Sequence, residues 1–200
     1  MQIIHSTELI IKSILETDIL KAAYTTENKT ELYIYADKIE KLSDFIGTDK
    51  TINKFDYNLV IYLMHCLSKQ QLFLESIGYS FYTLCLNDII VIDDKYFFCI
   101  EQKLIMPIDK NKMLTFYKPP LNSHFNSPEL LAMNSIPFKT SYKTIYYSFG
   151  ALAIYCLGKY LNCCKYTKLD WFIRRCIMED KGVEDKGVEG RIKLRQLLFI

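Results

Sequence analysis

The sequence predicts an α+β fold in which helices predominate, and three observations lead to this class. Residues 57–76 repeat apolar side chains on one helical face, and residues 143–158 form a run that is apolar on nearly all sides. Between them, two β-branched and aromatic runs flank Asp93-Asp94-Lys95, a pattern typical of a β-hairpin. A hairpin followed by helices indicates segregated α and β elements rather than an alternating α/β fold.

The first half of the chain carries four predicted elements. They are a helix over 7–23, a strand over 31–35, a helix over 37–46 and a long helix over 57–76. Ser6 or Thr7 is placed to cap the first helix and Asp56 the last, because short oxygen-bearing side chains accept hydrogen bonds from the first amides of a helix. Gly47 is the expected C-cap of the helix over 37–46.

The second half carries the hairpin and then helices. Its predicted elements are strands at 89–92 and 96–100, a short helix from Ser127 to about Met133, the apolar helix over 143–158, a helix capped by Thr167 and a last helix over 191–199. Residues 101–126 are expected to be irregular, since prolines interrupt them. The charged segment 179–183 is repeated at once as 184–188, which indicates a solvent-exposed loop extension.

Composition and charge argue against several classes of protein. The formal net charge of +2 is small and the lysines are scattered, so no nucleic-acid partner is expected. The helix over 143–158 is shorter than the roughly 20 residues of a membrane span, and no signal peptide is recognisable. We therefore expect a cytoplasmic protein with no membrane partner. The seven cysteines lack zinc-site and disulfide-framework spacing, which indicates free thiols, most of them buried.

Glycine is scarce, which argues against a nucleotide-binding loop. The chain has seven glycines, and only Gly47 and Gly78 lie in its first half. A phosphate-cradling loop needs clustered glycines so that backbone amides can approach the anion. The first half of the sequence offers no such cluster.

Several motifs resemble the lower lobe of protein kinases. Ser127-Pro128-Glu129 stands about twenty residues ahead of Ser148-Phe149-Gly150, much as a Pro-Glu motif precedes the core helix in that family. The stretch 87–91 resembles the Asn-Ile-x-Val end of the kinase catalytic loop. Arg175-Cys176-Ile177 resembles the Arg-Cys-Leu of the penultimate kinase helix.

The resemblance covers roughly residues 8–200. The chain also resembles the divergent kinase-like proteins of large DNA viruses. The resemblance implies a single protein-kinase-like domain, in which 1–36 are a truncated, vestigial N-lobe and 37–200 form a C-lobe. It also implies a viral protein located in the host cytoplasm or in the virion.

The parts of a kinase that carry catalysis are not matched. Phosphoryl transfer needs a phosphate cradle, a lysine, metal ligands and a group that positions the attacking hydroxyl. By the resemblance, Phe81-Tyr82-Thr83 stands where the base-bearing triplet belongs, and it contains no carboxylate. Glu101-Gln102 stands where the metal-binding Asp-Phe-Gly belongs, without its glycine.

Asn87, Asp88 and Glu101 are the remaining candidates for a magnesium or nucleotide site. In the family, the loop asparagine and a carboxylate after the next hairpin hold magnesium, so these three residues are the ones that ATP and magnesium would use. The other interpretation is that Asn87 or Asp88 only caps the turn before the strand at 89–92.

Glu129 is the structural candidate. The resemblance implies a buried ion pair between Glu129 and an arginine of the last helix, which is Arg191 or Arg195. A buried carboxylate needs such a guanidinium, because removing one partner of a buried pair costs about 3–5 kcal/mol.

Three functions remain open from the sequence. The first is a catalytically inactive pseudokinase that uses no cofactor and binds another protein, either a host factor or a true kinase. The second is a degenerate but active protein kinase that uses ATP and magnesium. The third is an unrelated helical interaction domain.

Overall fold

The computed structural model describes residues 1–47 and 55–177 of the 200-residue chain. Over these residues the fold mixes helices with short strands, which is compatible with the predicted α+β class. The helices are α1 (Glu8–Leu15), α2 (Leu42–Ile46), α3 (Tyr57–Ser76), α4 (Pro128–Leu131), α5 (Thr144–Leu157) and α6 (Lys168–Cys176). Short 3-10 helices lie at Leu86–Asp88, Gln102–Leu104 and Gly158–Cys164.

The strands form small antiparallel sheets. They are β1 (Gln2–His5), β2 (Tyr24–Thr25), β3 (Glu31–Ile34), β4 (Ile39–Lys41), β5 (Tyr79–Phe81), β6 (Ile89–Ile92), β7 (Tyr96–Cys99), β8 (Ile105–Pro107), β9 (Met113–Phe116) and β10 (Phe138–Ser141). Their order is β1-β3-β2 in the first sheet and β4-β6-β7 in the second, while β5 pairs with β8 and β9 pairs with β10. The hairpin predicted at the centre of the chain is therefore confirmed as β6 and β7, extended by β4.

Helices α3 and α5 match their predicted positions closely. The Asp56 carboxylate accepts a hydrogen bond from the Leu59 N–H at 2.7 Å, as an N-cap should. Gly78 follows the end of α3 with a φ of +81°, which a glycine adopts at little cost. Most residues of α5 are buried, as its apolar sequence predicts, and α5 packs against both α3 and α6.

The prediction of a helix over 7–23 is wrong in its second half. Helix α1 ends at Leu15, and the chain then turns through Asp18, whose φ is +54°. The Thr17 hydroxyl donates to the Ile14 carbonyl at 2.6 Å, which satisfies one of the last acceptors of the helix. The chain then forms β2, which lies at one edge of the sheet that β2 shares with β1 and β3. The strand β1 ahead of the helix was not predicted, because four residues carry little periodicity.

The prediction of a helix over 37–46 is also wrong in its first half, where the chain forms β4. The Asp93 carboxylate accepts hydrogen bonds from the Asp37 N–H at 2.8 Å and the Lys38 N–H at 2.9 Å. These contacts hold the chain beside the hairpin, so Ile39 pairs with Ile92 and the strand continues to Lys41. Helix α2 occupies the second half, and Gly47 ends it at a φ of +75°, as predicted.

Residues 101–126 were predicted to be irregular, yet they contain β8 and β9. Each strand is completed by a distant partner, β5 for the first and β10 for the second. Pro107 is the last residue of β8, a terminal position that tolerates its missing N–H. Such short strands depend on their partners, which local composition does not reveal.

The described residues share one continuous hydrophobic core that extends from Ile4 to Cys176. The seven cysteines are free thiols, as expected; Cys66, Cys99 and Cys156 are buried, and Cys85 is half-buried. No helix in the described ranges is both long and apolar enough to cross a membrane.

The repeated segment 179–188 and the helix predicted over 191–199 lie outside the described residues.

Candidate functional site

Asp88 and Glu101, predicted as members of one site, lie at the same end of the central hairpin. Asp88 directly precedes β6, and Glu101 is the second residue after β7. Because the strands are antiparallel, these positions meet, and the Ile100 N–H donates to the Asp88 carbonyl at 2.9 Å. The neighbouring Asn87 is exposed. The geometry therefore brings the three predicted residues to one edge of the molecule.

The surroundings of the Asp88 carboxyl oppose its ionisation. Partial burial raises its pKa, and the negative charge of Glu101 adds to the rise. A hydrogen bond from the Cys85 thiol and the charges of Lys41 and Lys103 act in the opposite direction without cancelling it. Asp88 is therefore harder to ionise than a free aspartate, because its surroundings oppose a second negative charge beside Glu101.

Cys85 lies against this carboxyl but has the wrong electrostatics for a nucleophile. Its burial raises the pKa of the thiol, and the charge of Asp88 raises it further, while a hydrogen bond with Ser123 lowers it. A reactive cysteine needs the opposite, a thiolate favoured by nearby positive charge. We assign Cys85 the role of a hydrogen-bond donor to Asp88.

Glu101 is held by the backbone. Its carboxylate accepts a hydrogen bond from the Lys103 N–H at 2.9 Å and thereby caps the adjoining 3-10 helix. Within the described residues, no group of three or more His, Cys, Asp or Glu side chains is arranged to hold a metal ion. This edge presents to a ligand a pair of carboxylates flanked by Lys41 and Lys103.

The triplet Phe81-Tyr82-Thr83 belongs to the hydrophobic core. All three side chains are buried. The Tyr82 hydroxyl accepts a hydrogen bond from the Leu121 N–H at 3.1 Å, and its ring packs edge-on to Phe116. No side chain of this triplet can accept a proton from a substrate in solvent.

Glu129 lies half-buried in the first turn of α4. Its two predicted partners, Arg191 and Arg195, are outside the described residues, so the ion pair stays a prediction. Ser127 precedes α4 as expected, but its hydroxyl makes no capping bond and contacts the Thr144 hydroxyl instead. This contact ties α4 to the start of α5.

Two adjacent glutamines of α3 support the hairpin and were missed by the sequence reasoning. The Gln70 amide donates to the Cys99 carbonyl at 2.8 Å and accepts from the Cys99 N–H at 2.9 Å. Gln71 accepts from the Phe81 N–H at 3.1 Å and donates to the Ser80 hydroxyl at 2.8 Å. Each glutamine thus completes the hydrogen bonding of a strand. The signal in the sequence was two consecutive amides, at Gln70 and Gln71, beside the apolar face of the helix.

The chain was compared with protein-family models and with curated proteins of known function, and no family model and no curated protein matches it.

Proposed function

We propose that the chain is a catalytically silent, protein-kinase-like domain that acts by binding another protein. The observation that carries the proposal is the burial of Phe81-Tyr82-Thr83. The resemblance requires a carboxylate at this place, exposed to the cleft, to position the substrate hydroxyl. Two packed aromatic rings and a buried threonine cannot perform that role.

The strand ahead of α1 supports the same proposal. In the family, a lysine on the strand before the first helix grips the ATP phosphates. In this chain the strand that precedes α1 is β1, and its sequence, from Gln2 to His5, contains no lysine. Glu8, in the first turn of α1, pairs with Lys29 on the surface at 3.0 Å.

Residual nucleotide binding is the second candidate, and one specific observation favours it. Asp88 and Glu101 come together at one edge with Lys41 and Lys103 nearby, a combination that can hold a magnesium ion and a phosphate. This candidate requires the ion to offset the repulsion between the two carboxylates.

A thermal-shift experiment on the full chain separates the two candidates. We expect ATP with magnesium to leave the melting temperature unchanged, because no phosphate cradle is present in the first half of the sequence. A ligand at 100 times its dissociation constant adds about 2.7 kcal/mol of stability, which is readily measured. Phosphoryl transfer from radiolabelled ATP to a generic protein substrate is measured in parallel and is expected to stay at background.

The variants Asp88→Asn and Glu101→Gln identify the site if a shift occurs. Asp94→Asn is the matched control, since Asp94 is an exposed carboxylate in the hairpin turn. A magnesium-dependent rise in melting temperature that is lost in both site variants and kept in the control would contradict the silent domain. It would show that the chain binds nucleotide at Asp88 and Glu101.

A further inference from the structure

The segment 158–177 is more cationic than the rest of the chain. It contains five lysine or arginine residues and a single acid, Asp170, while the whole chain has a net charge of +2. Helix α6 lies within it and buries one face, formed by Leu169, Phe172, Ile173 and Cys176. The opposite side of α6 faces solvent, and exposed residues lie just ahead of the helix. Together we call these residues the α6 face; they are Lys165, Tyr166, Lys168, Trp171, Arg174 and Arg175.

Large aromatic side chains are exposed among these charges. Tyr166 is 98 % exposed and Trp171 is 48 % exposed, and Tyr160 lies on the surface just ahead of them. The Arg175 guanidinium lies over the Trp171 ring, 5.8 Å from its centroid. Tryptophan, tyrosine and arginine are the residue types that contribute most to binding at protein interfaces.

The α6 face is held in place before any partner arrives. One Asp170 oxygen accepts from the Tyr166 N–H at 2.9 Å, and the other accepts from the Arg174 Nε at 2.9 Å. The Thr167 hydroxyl accepts from the Asp170 N–H at 3.3 Å and caps the helix. Tyr166 has a φ of +66°, an uncommon conformation for a bulky residue, which these bonds maintain. Preorganisation of this kind reduces the entropy lost on binding.

An apolar cavity lies beside the face. Its volume is about 340 Å³, and its lining is mostly apolar but includes one carboxylate; the residues are Asp56, Tyr57, Tyr160, Cys163, Cys164 and Thr167. A cavity of this size accepts one large apolar side chain. Thr167, which lies between Tyr166 and Lys168 in the chain, lines this cavity, so the cavity adjoins the start of the α6 face.

We propose that the α6 face docks an acidic segment of a partner protein, with aspartate or glutamate side chains on the cations and an apolar anchor in the neighbouring cavity. The proposal rests on the proposed function, since it names the chemistry of the protein that the silent domain binds. Charge complementarity selects an acidic partner. The cavity favours a protein over a single-stranded nucleic acid, because a nucleic acid binds such a surface by phosphate contacts and base stacking and has no apolar anchor to place.

A selection experiment on the full chain tests the chemistry of the partner. A displayed library of random peptides, each about 12 residues long, is selected against the wild-type protein, since segments of this size bind such surfaces. We expect the enriched peptides to be rich in Asp and Glu and to share one large apolar residue. Binding of the most enriched peptide is then measured by fluorescence anisotropy, and a poly-dT oligonucleotide is titrated in the same way.

Three variants locate the site. Lys165→Glu/Arg175→Glu reverses two charges of the α6 face and is expected to weaken peptide binding by about tenfold or more. Tyr166→Ala removes a fully exposed ring and is expected to weaken it about fivefold. Tyr117→Ala/Lys118→Glu is the matched control, because these residues form an exposed Tyr-Lys pair after β9. Its binding should stay within about twofold of wild type.

The results distinguish this proposal from the proposed function. Enrichment of peptides without acidic residues, equal binding to the charge-reversed variant, or tighter binding of poly-dT than of the peptide would each overturn the assignment of the α6 face. If the protein binds acidic peptides through this face and also transfers phosphate from ATP, the docking site is supported and the proposed silent function is wrong. If the protein is inert to ATP and selects no acidic peptide, only the docking site is wrong.

Discussion

Gln70 shows how one side chain connects three elements of this fold. It lies in α3. Its side-chain amide donates a hydrogen bond to the Cys99 carbonyl of β7 and accepts one from the Cys99 N–H, and it also donates to the Ser13 hydroxyl of α1 at 2.9 Å. Gln70 itself is fully buried. A buried amide is stable only when its donors and acceptors are satisfied, and these three bonds engage both its oxygen and its nitrogen.

We expect Gln70→Ala to lower the free energy of unfolding by about 2–4 kcal/mol, because the change leaves the buried N–H and C=O of Cys99 without these partners. Urea denaturation followed by circular dichroism measures the loss. Gln102→Ala is the control, since Gln102 is exposed, and its cost should stay below about 0.5 kcal/mol. Equal stability of the two variants would show that the bonds to Cys99 do not hold the hairpin.

At the scale of elements, the contact between α5 and α6 depends on Gly150. A β-carbon built on Gly150 would lie 2.7 Å from the Cys176 Cβ and 2.7 Å from the Ile177 Cγ2. Real β-carbons do not approach so closely, so the absence of a side chain allows the two helices to pack at this distance. The glycine that completes the kinase-like Ser-Phe-Gly motif thus has a packing role in this fold.

We expect Gly150→Ala to destabilise the protein by about 1–3 kcal/mol, although alanine is the better helix former by about 1 kcal/mol. The added methyl group must push α6 away from α5. The change is measured by urea denaturation, with the near-UV signal of Trp171 in α6 as a local probe.

A double-mutant cycle with Ile177→Ala tests the cause of this loss. Shortening Ile177 removes one of the two clashing atoms, so the double variant should lose less stability than the sum of the single variants. Strict additivity would contradict a steric clash at this crossing.

At the scale of the whole molecule, the first 36 residues are part of the common core. Ile10, Ile11, Ile14 and Leu32 from this region are almost completely buried. The Ser6 hydroxyl donates to the Ile100 carbonyl at 3.0 Å, which joins the first sheet to the end of the central hairpin. The region named by the resemblance as a vestigial lobe is therefore continuous in packing with the rest of the described chain.

We expect the fragment 37–200 to lose cooperative unfolding and to aggregate, because the surface of α3 that packs against α1 would be exposed. Urea denaturation and light scattering measure both effects. Ile3→Ser is the control, since Ile3 belongs to the same region but is exposed, and it should unfold like the wild type. A soluble fragment with an unchanged unfolding midpoint would show that the first 36 residues form a separate unit.

How much could be predicted differs between the long and the short elements. Helices α3 and α5 were predicted closely because 14 to 20 residues of consistent pattern outweigh any single position. The β6–β7 hairpin was predicted because its turn residues lie next to the strands they join; Asp93 and Asp94 adopt φ values of +51° and +55°. Strands β4 and β8 were missed because three residues form a strand only where a partner edge is present.

The candidate site was predicted in part. Asp88 and Glu101 were singled out by the resemblance to the kinase catalytic loop and metal-binding motif, and their place on either side of the predicted hairpin already indicates that they lie close together. The surroundings that raise the pKa of Asp88, namely its burial and the charge of Glu101, depend on how the strands close.

The sequence by itself determined the long helices, the Asp56 cap of α3 and the central hairpin, since these depend on periodicity and on residues close together in the chain. Only the tertiary structure decided the partners of the short strands, the burial of Phe81-Tyr82-Thr83 and the gathering of cations and aromatic rings on the α6 face. The physical reason is that pairing, burial and surface charge arise between segments far apart in the chain or from the direction in which a helix turns each side chain. The pairing of the short strands and the burial of Phe81-Tyr82-Thr83 are not encoded in any single stretch of residues.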